Sequence, residues 1–181
     1  MAICQIIEAP DPFLRTVSKP VAAVDASVRA LVADMFETMY AAPGIGLAAI
    51  QVGVPQRILV IDLQRPDEAA AGEGEEPPSL REPRAFINPR VTWASDEVTS
   101  YNEGCLSVPE LYGDVDRPSR VRIEWLDLDG APREQELDGL LATCFQHEMD
   151  HLEGVLFYDH LSKLKRDMIV KKLTKAQRKA A

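Results

Sequence analysis

Residues 139–152 read Gly139-Leu140-Leu141-Ala142-Thr143-Cys144-Phe145-Gln146-His147-Glu148-Met149-Asp150-His151-Leu152. Leu140, Leu141, Cys144, Phe145 and the two histidines recur at the three- and four-residue spacing of a helix. Asp138 stands where an N-cap is expected, and Gly154 where the helix should stop. The spacing therefore predicts a helix from about Gly139 to Leu152. On it, His147 and His151 lie one turn apart on one face and can share one metal ion. Glu148 sits on the neighbouring part of that turn, within reach of a water whose pKa such an ion lowers. A five-residue pattern with two free positions also arises by chance on surface helices, so the motif needs further support.

Two histidines do not complete a site, because a catalytic tetrahedral metal takes three protein ligands and keeps one open position. The HExxHxxGxxH extension of zinc endopeptidases would need histidine at position 157. Gly154 fits that pattern, but position 157 is Phe157, and His160 lies three residues too far along. No glutamate follows Glu153. The third ligand must come from upstream or from one of the few remaining aspartates, and cysteine is the natural candidate. Cys144 is seven residues from His151, about 10 Å along a helix, so the two cannot share an ion; it reads as a small core residue. Cys4 lies in an apolar stretch and also reads as core. Cys105 lies in Glu103-Gly104-Cys105-Leu106-Ser107, in a turn after a strand, with a glycine that permits close backbone approach. Spacing alone leaves two readings of Cys105 open, a ligand or a buried loop cysteine.

Outward from this helix, Val28, Leu31, Val32, Met35, Phe36, Met39 and Tyr40 form one apolar face, predicting a helix over 26–41 with Asp25 as cap. Arg57–Leu63 reads as a buried strand. Strands are also expected in AFINPRVTW (85–93), at 98–101, 120–126 and 133–137, with a hairpin turn at Asp129–Gly130. Residues 64–83 are acidic and Pro-rich and read as a solvated loop within one domain spanning 1–181. Strands with few helices point to an α+β fold with mostly antiparallel pairing.

The chain of 181 residues carries 20 basic and 29 acidic residues, a net charge of −9, so the body should not seek nucleic acid. The segment 162–181 reverses this, with eight basic residues against Asp167 alone. A helix is expected over about 162–178, pinned by Leu164, Met168 and Leu173 with its basic face in water. No apolar run approaches the roughly 20 residues of a membrane span, and the N-terminus does not read as a secretory signal. Three cysteines argue against a disulfide scaffold and for a reducing, cytoplasmic setting.

Gly44-Ile45-Gly46-Leu47-Ala48-Ala49-Ile50-Gln51 follows the first helix. No lysine follows, and Ala49 stands where GxGxxG needs glycine, so a nucleotide site is unsupported. Gln51 ends an apolar run and, if buried, must find partners. Satisfying neighbouring backbone is the simplest role for it.

Taken together and in this order, GIGLAAIQ (44–51), EGCLS (103–107) and HEMDH (147–151) resemble the three signature motifs of the peptide deformylases. The resemblance runs from about residue 6 to 166. It implies hydrolysis of the formyl group on the N-terminal formylmethionine of newly made polypeptides. It implies that Cys105, His147 and His151 hold one divalent metal, ferrous iron foremost, with zinc, nickel or cobalt able to replace it. Glu148 is then the acid/base, and the Gln51 side chain and the Leu106 backbone N–H stabilise the oxyanion. Ile45, Leu140 and Cys144 would line the methionine pocket, and backbone at Ile45, Gly46 and Gly104 would hold an extended peptide. The implied fold is α+β, with antiparallel sheets around the histidine-bearing helix. Two departures stand out: the loop 64–83 is longer than the family's compact core needs, and Tyr112 stands where some members carry arginine at the substrate mouth. A monomer acting on nascent chains is expected, with the basic tail as a contact to the ribosome. The alternatives are a small zinc endopeptidase and a non-catalytic, ribosome-associated module of deformylase type.

Overall fold

The computed structural model describes residues 2–70 and 76–180. The centre of the acidic loop, 71–75, and the end residues 1 and 181 lie outside them. The expected first helix is α1, Ala26–Ala41, and the Asp25 carboxylate caps it by accepting the Val28 N–H at 3.0 Å. Next come β1 (Gly46–Ala48) and β2 (Ile58–Ile61). The ends of the acidic excursion form a short ladder, β3 (Arg65–Pro66) with β4 (Ser79–Leu80), where only loop was expected. Then follow β5 (Arg84–Ala94), β6 (Val98–Cys105), β7 (Val108–Pro118), β8 (Arg120–Leu126), β9 (Pro132–Asp138), α2 (Gly139–Leu152) and α3 (Lys163–Ala180).

Five strands form one antiparallel sheet in the order β1-β2-β5-β8-β9, and β6 pairs with β7 as a separate long hairpin. β2 explains the layering. Successive side chains on a strand point to opposite faces; Ile58 and Val60 join α1 residues Val32, Met35 and Met39 in one core, while Leu59 and Ile61 join α2 residues Ala142, Phe145 and Leu152 in another. Phe145 meets Phe86 edge-on at 5.2 Å between ring centroids. α2 is therefore covered by the sheet on one side and by the β6–β7 hairpin on the other, which matches the expected α+β arrangement around a central helix.

Four expectations need correction. Asp138 occupies the N-cap position of α2, but its side chain makes no capping bond; Gly139, at φ +56, turns β9 directly into the helix. β7 was not expected as a strand. Its inward residues are Gly113, Val115 and Arg117, and a charged inward residue between two prolines, Pro109 and Pro118, hides the alternation. In α3 the buried contacts come from Ile169 and Leu173, whereas Leu164 and Met168 are 72% and 52% exposed. Cys4 is only half-buried, its N–H bonded to Thr38 Oγ1 at 2.8 Å. No helix among the described residues is long and apolar enough to cross a membrane.

Candidate active site and metal centre

α2 sets His147 and His151 one turn apart, with ring centroids 5.1 Å from each other. The C-terminal end of β6 delivers Cys105, whose Sγ lies 3.2 Å from His151 Nε2. One ligand atom from each of these three residues lies within 4.8 Å of the other two, the one such cluster among the described residues. Donors this close can be spanned by an ion about 2.0–2.3 Å from each. Position 157, where an endopeptidase of the extended type would carry its histidine, holds Phe157, stacked on His147 at 6.2 Å.

The hairpin orients the first histidine. His147 Nδ1 meets Glu103 Oε2 at 2.9 Å. Arg117 bonds both oxygens of that carboxylate, at 2.6 and 3.0 Å, and reaches Asp150 Oδ2 at 2.8 Å. Burial pushes the Glu103 carboxyl up, but bonds from His147 and Arg117 outweigh this and hold it below its ordinary range. An ionised Glu103 fixes His147 as a donor at Nδ1 and leaves Nε2 for an ion. Burial also opposes charge on His147, yet its contacts with Cys105 and Glu103 hold it well above the usual imidazole range. Burial and the neighbouring His147 hold His151 well below that range. A cysteine sulfur and two imidazole nitrogens form a donor set that suits a divalent transition metal ion. The donor set fits a metal ion.

Glu148 lies beside this cluster, 4% exposed, and burial pushes its carboxyl up to about 7. Its Oε2 has no hydrogen-bond partner among the described residues. Room for it exists because position 46 is glycine: a Cβ there would stand 2.5 Å from Glu148 Oε1 and 2.9 Å from Cys144 Sγ. Gln51 is 1% exposed, and its amide does two things. Its Oε1 accepts the Ala48 N–H at 2.8 Å, the simple backbone role. Its Nε2 donates to Ser107 Oγ at 3.0 Å and lies 3.6 Å from Cys105 Sγ, so it also faces the donor cluster.

A cleft of about 650 Å³ opens over these groups. Ile45, Gly46, Gln51, Gly104, Cys105, Leu106, Leu140, Cys144, His147 and Glu148 all line it, so the structure brings every predicted site residue except the deeper His151 to its surface. Cys144 is both core and wall. Tyr112, 64% exposed, lies against Gly104 at the mouth. Sequence reading missed Glu103, Ser107 and Arg117. Glu103 and Ser107 were in view inside the EGCLS motif, where only the cysteine, leucine and glycine were given roles. Arg117 carries no local signal, since its strand was not expected.

A helix-borne histidine pair, a cysteine from a facing hairpin and a buried carboxylate beneath an open cleft define a metallo-hydrolase of the α+β class. The family description "Polypeptide deformylase" matches residues 3–167. A peptide deformylase of Rhizorhabdus wittichii is 64% identical, covering 98% of this chain and 97% of its own. One from Novosphingobium aromaticivorans is 59% identical over the full length of both. The crystal structure of peptide deformylase from Ehrlichia chaffeensis superposes with a TM-score of 0.88 at 42% identity, covering 99% of each chain. The same enzyme in complex with actinonin gives 0.86 at 43% identity, covering 98% of this chain and 99% of its own. The chain belongs to the polypeptide deformylase family, and it is an enzyme of that family, a metallo-hydrolase acting on formyl-methionyl peptides.

Proposed function

We propose that this chain, acting as one catalytic domain over 1–181, removes the formyl group from the N-terminal formylmethionine of newly synthesised polypeptides, releasing formate and a free amino terminus. The observation that carries this is the convergence of Cys105, His147 and His151 beside the buried Glu148 at the cleft. Cys105, His147 and His151 would hold one divalent metal, Fe²⁺ first, with Zn²⁺, Ni²⁺ or Co²⁺ as substitutes. When bound, it supplies a Lewis acid that polarises the formyl carbonyl and acidifies a water.

Glu148 takes the proton from the attacking water and hands it to the leaving amine. A carboxyl near 7 suits both directions of that transfer. The Gln51 Nε2–H and the Leu106 backbone N–H face the carbonyl oxygen as it gains charge; one such donor is worth about 2.7–4 kcal/mol in the transition state. For this, Gln51 trades its approach to the Cys105 sulfur for the oxyanion while Ser107 and Ala48 keep the amide in place. Ile45, Leu140 and Cys144 offer an apolar slot for the methionine side chain, and the backbone of Ile45, Gly46 and Gly104 pairs with the extended peptide.

The decisive experiment assays formate release from a formyl-Met tripeptide with anaerobically purified protein of known metal content. Release from the formylated peptide, with internal peptide bonds left intact, is expected. Internal cleavage, or no formate from metal-loaded protein, overturns the assignment.

The setting we infer is cytoplasmic, with the protein monomeric and its tail touching the ribosome. The lysines and arginines of α3 at 171, 172, 175, 178 and 179 are all exposed, next to exposed Leu164 and Met168. Because Leu173 is buried, truncation from Lys171 would damage the core, and charge reversal is the cleaner test. Lys171→Glu with Lys175→Glu and Arg178→Glu should reduce ribosome co-sedimentation at low salt and leave tripeptide hydrolysis unchanged. Equal co-sedimentation would make α3 a plain helix end.

A further inference from the structure

The acidic excursion 64–83 takes no part in the reaction above, yet both its ends are tied to one wall of the cleft. Asp62, just before it, is 1% exposed, and its backbone N–H donates to the Ile45 carbonyl at 2.9 Å. The Asp62 carboxylate accepts the Tyr40 hydroxyl at 2.6 Å on Oδ2. On Oδ1 it accepts the N–H of Gln64 at 3.0 Å and of Glu82 at 3.1 Å, so one carboxylate closes both ends. Gln64 is left-handed, at φ +50, and its Nε2 donates to the Gly44 carbonyl at 2.9 Å. Gly44 and Ile45 line the cleft, and Gly44 presses on Leu106: a Cβ there would stand 2.6 Å from Leu106 Cδ1.

Two successive carbonyls of the cleft wall, at 44 and 45, are thus each held from behind. Glycine has the widest backbone freedom of any residue, so an external donor on its carbonyl removes motion that peptide binding would otherwise have to freeze. Glycine would also suit the left-handed conformation at 64 without strain. Glutamine at 64 instead brings an amide donor to the Gly44 carbonyl while holding a left-handed backbone.

We propose that Gln64, backed by the Tyr40–Asp62 pair, is a positioning residue for the peptide substrate, holding the 44–46 wall in the form that receives the chain. This rests on the deformylase reading. The test is steady-state kinetics on a formyl-Met tripeptide, with melting temperature and hydrogen exchange over residues 42–48 measured alongside. Gln64→Gly removes the donor and relieves the left-handed residue. It should keep or raise Tm, hold kcat within about twofold and raise KM about two- to tenfold, the scale of one neutral hydrogen bond. Exchange over 42–48 should quicken. Gln64→Glu, which sets an oxygen against the Gly44 carbonyl, should raise KM at least as far, and Tyr40→Phe should raise it less. Unchanged KM in both Gln64 variants, unchanged exchange, or kcat and Tm falling together overturns the proposal. A metal-loaded wild type that releases no formate would instead overturn the deformylase reading and the peptide role with it, while exchange still reports whether the wall is clamped.

Discussion

On the side of α2 facing the five-stranded sheet, Ala142, Phe145 and Leu152 are fully buried among Leu59, Ile61, Phe86 and Val121. On the side facing the β6–β7 hairpin, contact is made by polar groups. Gln146 Nε2 donates to the Pro118 carbonyl at 2.9 Å, His147 meets Glu103, and Asp150 meets Arg117. Apolar packing tolerates small shifts and is non-directional, so it sets where the helix lies. Hydrogen-bonded ion pairs are directional and leave costly unpaired charges if broken, so they set how its histidines are turned. The sheet side holds the helix, and the hairpin side aims it.

The largest effect should come from the catalytic edge between the two sides. Glu148→Gln removes the proposed proton carrier and none of the proposed ligands, so metal content should hold while turnover falls about 10²–10⁴-fold. Near wild-type turnover would sink the assignment of Glu148. On the sheet side, Phe145→Ala should cost about 3–5 kcal/mol of stability, read as a lower denaturation midpoint. The metal affinity of the protein that remains folded should hardly change. If affinity falls as steeply as stability, the division of labour is wrong.

On the hairpin side the opposite pattern is expected. Glu103→Gln keeps the shape but weakens the acceptor for His147 and leaves Arg117 half-paired. Metal affinity should drop about 10–100-fold, the usual loss for a residue supporting a ligand, as measured by competition with a chelator. Cys144→Ser, on the same helix but away from the hairpin, should retain the metal and serves as the control. The smallest effect is in acid. Glu103 and Asp159 both have folded pKa values held below their ordinary range, Glu103 by His147 and Arg117, Asp159 by Arg15, in each case against burial. A depressed folded pKa adds stability above the unfolded value, about 4, and that stability is lost as pH falls through the folded value. Melting temperature should therefore decline below about pH 4, with a shallower slope in Glu103→Gln. An equal slope would show that the hairpin side adds nothing to acid sensitivity.

The α1 boundaries, the span of α2 and the buried β2 were legible because each is governed by local periodicity and burial of one face. β7 was not, because Arg117 turns inward to answer a carboxylate fourteen positions away, and no local pattern announces a buried arginine. The face of α3 was misassigned for a related reason. Leu164 and Leu173 are equally apolar in sequence, and only the position of the Leu156–Tyr158 core decides which of them is covered. For the site, the sequence alone determined the chemistry available: two imidazoles one turn apart, a carboxylate beside them and a limited choice of cysteines. Helix geometry excluded Cys144 from sharing an ion with His151, since that follows from rise per residue. What tertiary structure decided was that Cys105 reaches His151, that Glu103 and Arg117 turn His147, and that Gln51 points its amide at the cluster. These contacts join residues 14 to 56 positions apart, all brought together by folding. Their directions depend on how the hairpin crosses the helix, and no periodicity in a single segment carries that information.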